Sequence, residues 1–244
     1  MPDTVLVLGS APNAVTCRDW PKEPFDAIVA VNNAWRVRPD WDFLLYPEDF
    51  PQDRRPENPA ANQTLVTANA YVPEVNRFGG FVYAGGTMAF TAGYWALAAL
   101  QPSVLAFLGC DMVYPANGNT HFYGTGQPDP LRGDISLRSL EAKSARLHLH
   151  AAAQGCQCVN LSEDPSRLLF PRAGHADLRE LADRPPPLDR AQFETARAEE
   201  HRLGYFVESG RYWEQEDRFD PGEIDRIDQL WLNAFHRTAR AAAA

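Results

Sequence analysis

The sequence predicts an α/β protein with a mostly parallel sheet, helices on both faces of the sheet and a helical hairpin at its C-terminal end. Three observations predict this fold. Short apolar runs, each of a length suited to a buried strand, recur between residues 4 and 161. Several of these runs end directly in polar loops, and helical patterns lie between them. Beyond the proline-rich linker 184–187, helical patterns continue alone.

Six segments are predicted to be strands because they are short, apolar and bounded by turn residues. They are Thr4–Leu8, Phe25–Val31, Trp41–Tyr46, Thr64–Thr67, Ser103–Leu108 and Cys156–Leu161. Met88–Leu100 is rich in small residues and Ser136–Gln154 is amphipathic, so both are predicted to be helices that pack on the sheet. Residues 72–83, which contain a pair of adjacent glycines, are predicted to be irregular.

The linker divides the chain into a predicted sheet domain, residues 1–184, and a helical appendage, residues 188–240. Asp189–Val207 and Glu223–Arg240 have helical patterns with an apolar seam, which predicts that they form a hairpin. We expect this hairpin to pack on the sheet domain or on a second copy of the chain. The second arrangement would make the protein a homo-oligomer.

Charge and composition restrict the class of protein. The formal net charge is −9 and no run of Lys or Arg occurs, which argues against a nucleic-acid partner. No apolar run is long enough for a signal peptide or a transmembrane helix. Cys156 and Cys158 lack the C-x-x-C spacing of zinc and redox motifs, so no metal site is predicted. Together these features predict a cytoplasmic protein.

Polar residues follow the first two predicted strands at the points where the strands end. Gly9 and Ser10 begin a turn whose backbone N–H groups can bind an anion, or which simply leads into a helix capped by Ser10 or Asn13. Asn32 and Asn33 carry amides that can pair with a nucleobase or a ribose, or can satisfy the backbone of their own loop. The sequence leaves these alternatives open at both places.

A glycine pair marks the start of the predicted helix Met88–Leu100. Gly85, Gly86 and Thr87 precede that helix, and the missing side chains allow another group to approach the backbone closely. We therefore include these three residues among the candidate ligand-binding residues.

A long polar loop, Gly109–Ser136, follows the fifth predicted strand, and loops of this length are usually functional or mobile. Its candidate catalytic residues are Asp111, Tyr114, His121 and Tyr123. The tyrosines can donate hydrogen bonds to a phosphate, and His121 can act as a general base or acid near neutral pH. Asp111 can orient His121, hold an acceptor hydroxyl or cap the loop. A structural role is open to each residue singly, but their clustering favours a catalytic one.

Four short motifs occur in a distinctive order along the chain. They are Gly9-Ser10-Ala11-Pro12 after the first strand, Asn32 after the second, Gly85-Gly86-Thr87-Met88-Ala89 at a helix start, and Gly109-Cys110-Asp111 before the tyrosine-bearing loop. In these motifs, over roughly residues 4–162, the chain resembles the bacterial sialyltransferases of glycosyltransferase family 42. It is also similar to the archaeal 6-hydroxymethylpterin diphosphokinase-like proteins.

The first resemblance implies a Rossmann-like domain that binds CMP-sialic acid without metal, with the nucleotide sugar as donor substrate and no further cofactor. It implies that Ser10 and Asn32 help to hold the nucleotide. It also implies that Tyr114, with His121 or Tyr123, stabilises the leaving phosphate, and that a histidine deprotonates the hydroxyl of a small-molecule or glycan acceptor.

Two features of that family have no counterpart in this sequence. Val82 or Tyr83 stands where the family has an arginine shortly before the glycine pair. The segment 128–136, where the family has its histidine base, contains no histidine, so His121 would have to serve as the base.

Three functions therefore compete. The first is a glycosyltransferase-like enzyme that uses a nucleotide-activated sugar of the CMP-sialic acid type. The second is a diphosphokinase or other phosphoryl transferase, for which Glu48, Asp49 and Asp111 would become ligands of a divalent metal. The third is a non-catalytic protein of the same fold that binds a partner through the acidic helical hairpin.

Overall fold

A computed structural model of the protein describes residues 3–115, 117–126 and 132–242. The predicted loop Gly109–Ser136 is therefore described only in part, because positions 116 and 127–131 lie outside the described residues. No helix in the described ranges is long and apolar enough to cross a membrane.

The described residues form one sheet of six strands, and every pair of neighbouring strands is parallel. The strands are β1 (Thr4–Leu8), β2 (Ala27–Val31), β3 (Phe43–Leu45), β4 (Thr64–Val66), β5 (Val104–Leu108) and β6 (Gln157–Asn160). Their order in the sheet is β4-β3-β2-β1-β5-β6. The predicted α/β fold with a parallel sheet is confirmed.

Both faces of the sheet are buried. Successive side chains of a strand point to opposite faces, so Val5 and Val7 of β1 pack into one apolar cluster while Leu6 and Leu8 pack into another. All four side chains are fully buried. This double burial explains why the strands are continuous apolar runs instead of alternating polar and apolar residues.

The two faces carry helices of different kinds. The α-helices among the described residues are α1 (Ala68–Asn76), α2 (Phe81–Ala84), α3 (Met88–Ala99), α4 (Leu140–Ala153), α5 (Leu178–Ala182), α6 (Arg190–Leu203) and α7 (Pro221–Ala242). All of them except α5 contribute to the cluster around Val5. The opposite face is covered by α5 and by the short 3-10 helices Pro12–Asp19 and Asn32–Arg36.

The prediction that residues 72–83 are irregular is wrong. Helix α1 continues through Pro73, which lies inside the helix, and α2 follows after Gly80. Tyr71 and Val75 of α1 are buried in the main core beside α3. This packing on α3 offsets the backbone hydrogen bond that the proline removes.

The predicted helix Ser136–Gln154 begins later than the sequence suggested. A 3-10 turn, Ile135–Leu137, comes first, and α4 follows at Leu140. Ser139 caps α4, since its hydroxyl accepts a hydrogen bond from the N–H of Ala142 at 3.1 Å.

The C-terminal hairpin packs on the sheet domain of its own chain. Phe193 of α6 and Trp231 of α7 belong to the same buried cluster as the sheet residues. Two buried ion pairs join the hairpin to α4: Lys143 to Asp228 at 2.7 Å, and Arg146 to Glu200 at 2.7 Å. Lys143 and Arg146 therefore act in docking the hairpin.

Two buried histidines of α4 make the stability of this fold depend on pH. Burial lowers the pKa of His148 from 6.5 to about 4, and it also lowers the pKa of His150 well below 6.5. Between pH 6.5 and about pH 4, these histidines bind protons in the unfolded chain but not in the folded chain. Their contribution to stability is therefore complete above pH 6.5 and is lost as the pH drops towards 4.

We expect the free energy of unfolding to fall by about 2 kcal/mol between pH 7 and pH 5 through His148 alone. Urea unfolding at the two pH values measures this loss. His148→Gln should reduce the pH dependence, whereas His236→Gln, at an exposed position of α7, should keep it. An equal pH dependence in His148→Gln and the unmodified protein would contradict this account.

Candidate functional site

The order of the strands places a topological switch point between β1 and β5. From β1 the chain builds β2, β3 and β4 outward on one side, and it then returns to β5 on the other side of β1. Ligands of open parallel sheets bind beyond the carboxyl ends of the strands at such a point. A cavity of about 710 Å³, called here the switch-point cavity, lies at this place.

Most residues that the sequence singled out come together on the wall of this cavity. They are Gly9, Ser10, Asn32, Asn33, Thr87, Tyr114, His121 and Tyr123. They follow the carboxyl ends of three strands or precede α3, and a parallel sheet brings those ends to one edge.

Asn32 and Asn33 supply polar groups that lack partners. Asn32 has a left-handed backbone with φ of 52°, which a short amide side chain tolerates. Asn33 is only 3% exposed. The side-chain oxygens of both residues are buried and have no hydrogen-bond partner among the described residues. Because an unpaired buried polar atom costs free energy, a ligand that donates hydrogen bonds to these oxygens is favoured.

The first turn of α3 also lies on the cavity wall. Met88 and Ala89 are the first two residues of the helix and both line the cavity. The N–H groups of a first helical turn have no partner within the helix, and the helix dipole makes this end positive. The Thr87 hydroxyl satisfies only the N–H of Phe90, at 3.3 Å. This end of α3 can therefore bind an anion such as a phosphate.

Sequence reasoning missed two arginines of this site. Arg36 and Arg54 line the cavity and form no ion pair within the part of the chain that the structure describes. Both lie shortly after a strand end, Arg36 behind Asn32 and Asn33, and Arg54 in the loop after β3. Their position a few residues beyond a predicted strand end is the sequence signal that could have identified both arginines as site residues. The two arginines add positive charge to the cavity that the start of α3 also lines.

An aromatic cluster with a histidine forms another part of the wall. The His121 ring stacks on Tyr123, with ring centroids 5.0 Å apart, and its centroid lies 6.2 Å from that of Tyr114. The loop is fixed to the sheet because the N–H of Phe122 donates to the carbonyl of Ser10 at 3.0 Å. This anchor keeps His121 beside the carboxyl end of β1.

The state of His121 suits a general base. Burial lowers the pKa of His121 below 6.5, so the imidazole is neutral at pH 7. Its Nδ1 lies 2.9 Å from Oγ1 of Thr120. In the tautomer in which Nδ1–H donates to this oxygen, Nε2 is unprotonated and can accept a proton from a ligand.

Asp111 lies away from the cavity. Its side chain is 3% exposed, and its carboxylate accepts hydrogen bonds from the Nδ2 atoms of Asn13 at 2.8 Å and Asn160 at 3.1 Å. These contacts tie the end of β5 to the turn after β1 and to β6. Among the roles considered for Asp111, these contacts match capping of the loop and not orientation of His121 or binding of an acceptor hydroxyl.

Gly85 and Gly86 also lie outside the switch-point cavity. Gly85 has φ of 90°, a conformation that favours glycine, and the N–H of Gly86 donates to Oγ of Ser136 at 2.9 Å. A Cβ atom on Gly86 would lie 2.2 Å from the hydroxyl of Tyr212. The group that approaches Gly86 closely is thus a tyrosine of the C-terminal segment.

The turn after β1 offers fewer free N–H groups than an anion site needs. The N–H of Gly9 donates to Leu108 at 2.8 Å, and that of Ala11 donates to Gly109 at 3.0 Å. A Cβ atom on Gly9 would lie 2.2 Å from the carbonyl oxygen of Gly109. The turn therefore packs against the end of β5, and the start of α3 is the better anion site.

The structure defines an α/β protein with an open cavity at the switch point of its parallel sheet. Comparisons of the chain with protein-family models, curated proteins and solved structures found no match. Among the described residues, no group of three or more His, Cys, Asp or Glu side chains is placed to hold a metal ion.

Proposed function

We propose that the protein is a glycosyltransferase-like enzyme that binds a nucleotide-activated sugar of the CMP-sialic acid type in the switch-point cavity. It transfers the sugar to a hydroxyl group of an acceptor without a metal ion. One observation carries the proposal: a single cavity joins two asparagines with unpaired side-chain oxygens, a helix N-terminus and a cluster of two tyrosines and a histidine.

Each part of the wall has a role in this proposal. The amides of Asn32 and Asn33 pair with the base or the ribose, whose donors meet the unpaired oxygens. The first turn of α3 receives the phosphate, and Arg36 and Arg54 balance its charge. These two arginines supply the positive charge that the family resemblance leads one to expect before the glycine pair.

The chemical step moves one proton and one sugar. His121 Nε2 takes the proton of the acceptor hydroxyl while the hydroxyl oxygen bonds to the anomeric carbon of the donor. The bond from that carbon to the phosphate oxygen breaks, and its electron pair leaves with the nucleotide. Tyr114 and Tyr123 donate hydrogen bonds to the departing phosphate, where negative charge develops.

The phosphoryl-transfer alternative has less support in the geometry. It assigns Glu48, Asp49 and Asp111 to a divalent metal. Asp49 lines the switch-point cavity, but Asp111 is buried against Asn13 and Asn160. The carboxylates that this function would use are therefore not gathered at one place.

We expect calorimetry to detect CMP binding in a panel of CMP, UMP, GDP and ADP. Arg54→Gln should weaken CMP binding about tenfold, the effect of losing one charge-assisted hydrogen bond. Arg18→Gln is the matched control, because Arg18 is exposed and lies outside the cavity. Absence of binding by all four nucleotides at millimolar concentration would contradict the proposed function.

A further inference from the structure

A second cavity of about 600 Å³ adjoins the switch-point cavity. Pro47, Asp49 and Met88 line both, so the two cavities share a wall. The remaining walls come from Glu48, α1, α2, the start of α3, residues 132–134 and the C-terminal segment 209–216. A ligand in the second cavity can therefore reach a group that reacts in the first.

An exposed tryptophan lies on the wall of the second cavity, next to a segment that is anchored to the fold. Trp213 is 55% exposed, although the adjacent Tyr212 is only 2% exposed. The Tyr212 hydroxyl donates to the carboxylate of Asp134 at 2.8 Å. Two residues before Tyr212, Gly210 packs so tightly that an added Cβ would lie 3.1 Å from the ring of Phe81. These two contacts hold the segment that leads into Trp213, whose side chain lines the cavity.

The charged groups of the cavity that have no ion-pair partner among the described residues are carboxylates. Arg211 pairs with Glu48 at 3.2 Å and Arg132 pairs with Asp134 at 3.0 Å, so these four charges balance. Asp49 and Glu216 also line the cavity, and neither forms an ion pair with a described residue. This balance disfavours an anionic ligand and favours one that donates several hydrogen bonds.

A sugar ring matches this combination of surfaces. A pyranose has an apolar C–H face, which gains free energy by covering an exposed aromatic ring. Its rim carries hydroxyl groups, which donate to carboxylates in charge-assisted hydrogen bonds. Trp213 supplies the apolar surface, and Asp49 and Glu216 supply the acceptors.

We propose that the second cavity binds a carbohydrate, with Trp213 against the face of a sugar ring. Asp49 holds a hydroxyl at the wall shared with the switch-point cavity. The assignment of this carbohydrate as the acceptor of sugar transfer rests on the proposed function. The binding of a sugar to the second cavity does not depend on it.

Fluorine NMR of the protein labelled with 5-fluorotryptophan tests the proposal. The Trp213→Phe variant identifies the Trp213 resonance, and the resonance of the fully buried Trp231 serves as the internal control. The probes are lactose and N-acetylglucosamine, with sorbitol as a polyol that has no ring face. Each titration is made with and without saturating CMP.

We expect lactose or N-acetylglucosamine to shift the Trp213 resonance in a saturable way, with the Trp231 resonance unchanged and no effect of sorbitol. Asp49→Asn should weaken this binding about tenfold. No saturable shift in either titration, or an equal shift with sorbitol, would overturn the proposal. CMP binding without a sugar-dependent shift rejects this inference alone, whereas a sugar-dependent shift without nucleotide binding rejects only the proposed function.

Discussion

Replacing His121 with alanine is expected to lower the rate of sugar transfer about 10²- to 10⁴-fold, the usual contribution of a general base. The affinity for the nucleotide should be retained, because the roles of Asn32, Asn33 and the start of α3 do not involve the imidazole. Steady-state kinetics with a CMP-sugar donor measures the rate, and calorimetry with CMP measures the affinity.

The pH dependence of the same reaction gives an independent check. Since burial lowers the pKa of His121 below 6.5, the base is neutral and active at pH 7. The rate should fall as the pH drops through this lowered pKa, because the imidazole becomes protonated. His236→Ala is the control, since His236 is exposed on α7. Unchanged turnover in His121→Ala would remove His121 from the mechanism.

Replacing Glu200 with glutamine is expected to lower the free energy of unfolding by about 3–5 kcal/mol, because the buried Arg146 guanidinium loses its counter-charge. Both side chains are buried, and Glu200 accepts hydrogen bonds from Arg146 at 2.7 Å and from Nε1 of Trp231 at 2.6 Å. Arg146 also donates to the hydroxyl of Tyr94 at 2.7 Å. The network joins α3, α4, α6 and α7, so its loss loosens the hairpin. Urea unfolding measures the change.

An exposed ion pair provides the comparison for this prediction. Glu180 pairs with Arg184, and their side chains are 69% and 62% exposed. Exposed pairs contribute about 0–1 kcal/mol, so Glu180→Gln should leave the stability nearly unchanged. An equal loss in the free energy of unfolding in Glu180→Gln and Glu200→Gln would contradict the claim that the buried ion pair stabilises the docked hairpin.

The strands and the meeting of most candidate residues at one cavity could be predicted from the sequence because both depend on simple patterns. Val5–Leu8 is apolar at every position, and the strand that contains it has the predicted bounds, Thr4–Leu8. The carboxyl ends of parallel strands lie at one edge, so Asn33 and His121 meet at one cavity although they are distant in sequence.

The direction of single side chains could not be predicted in the same way. Asp111 lies between Gly109, with φ of 71°, and Met112, with φ of 54°. These left-handed residues turn the chain so that Asp111 contacts Asn13 and Asn160 instead of the cavity. A strand pattern that ends at Leu108 contains no information about such a turn.

Contacts between distant segments explain the other differences. The glycine pair predicted a close approach at Gly86, but only the fold shows that the approaching group is Tyr212. Pro73 and the pair Gly79 and Gly80 predicted an irregular segment, yet packing on α3 stabilises helix α1. In both cases tertiary contacts, which are invisible in a local pattern, decide the outcome.

A crystal structure of the protein with CMP tests the central claim most directly. The account predicts CMP in the switch-point cavity, with its base or ribose bonded to Asn32 and Asn33. Its phosphate should lie at the first turn of α3, within reach of Tyr114 or Tyr123. CMP bound at any other place, or a switch-point cavity that stays empty at saturating CMP, would contradict the account.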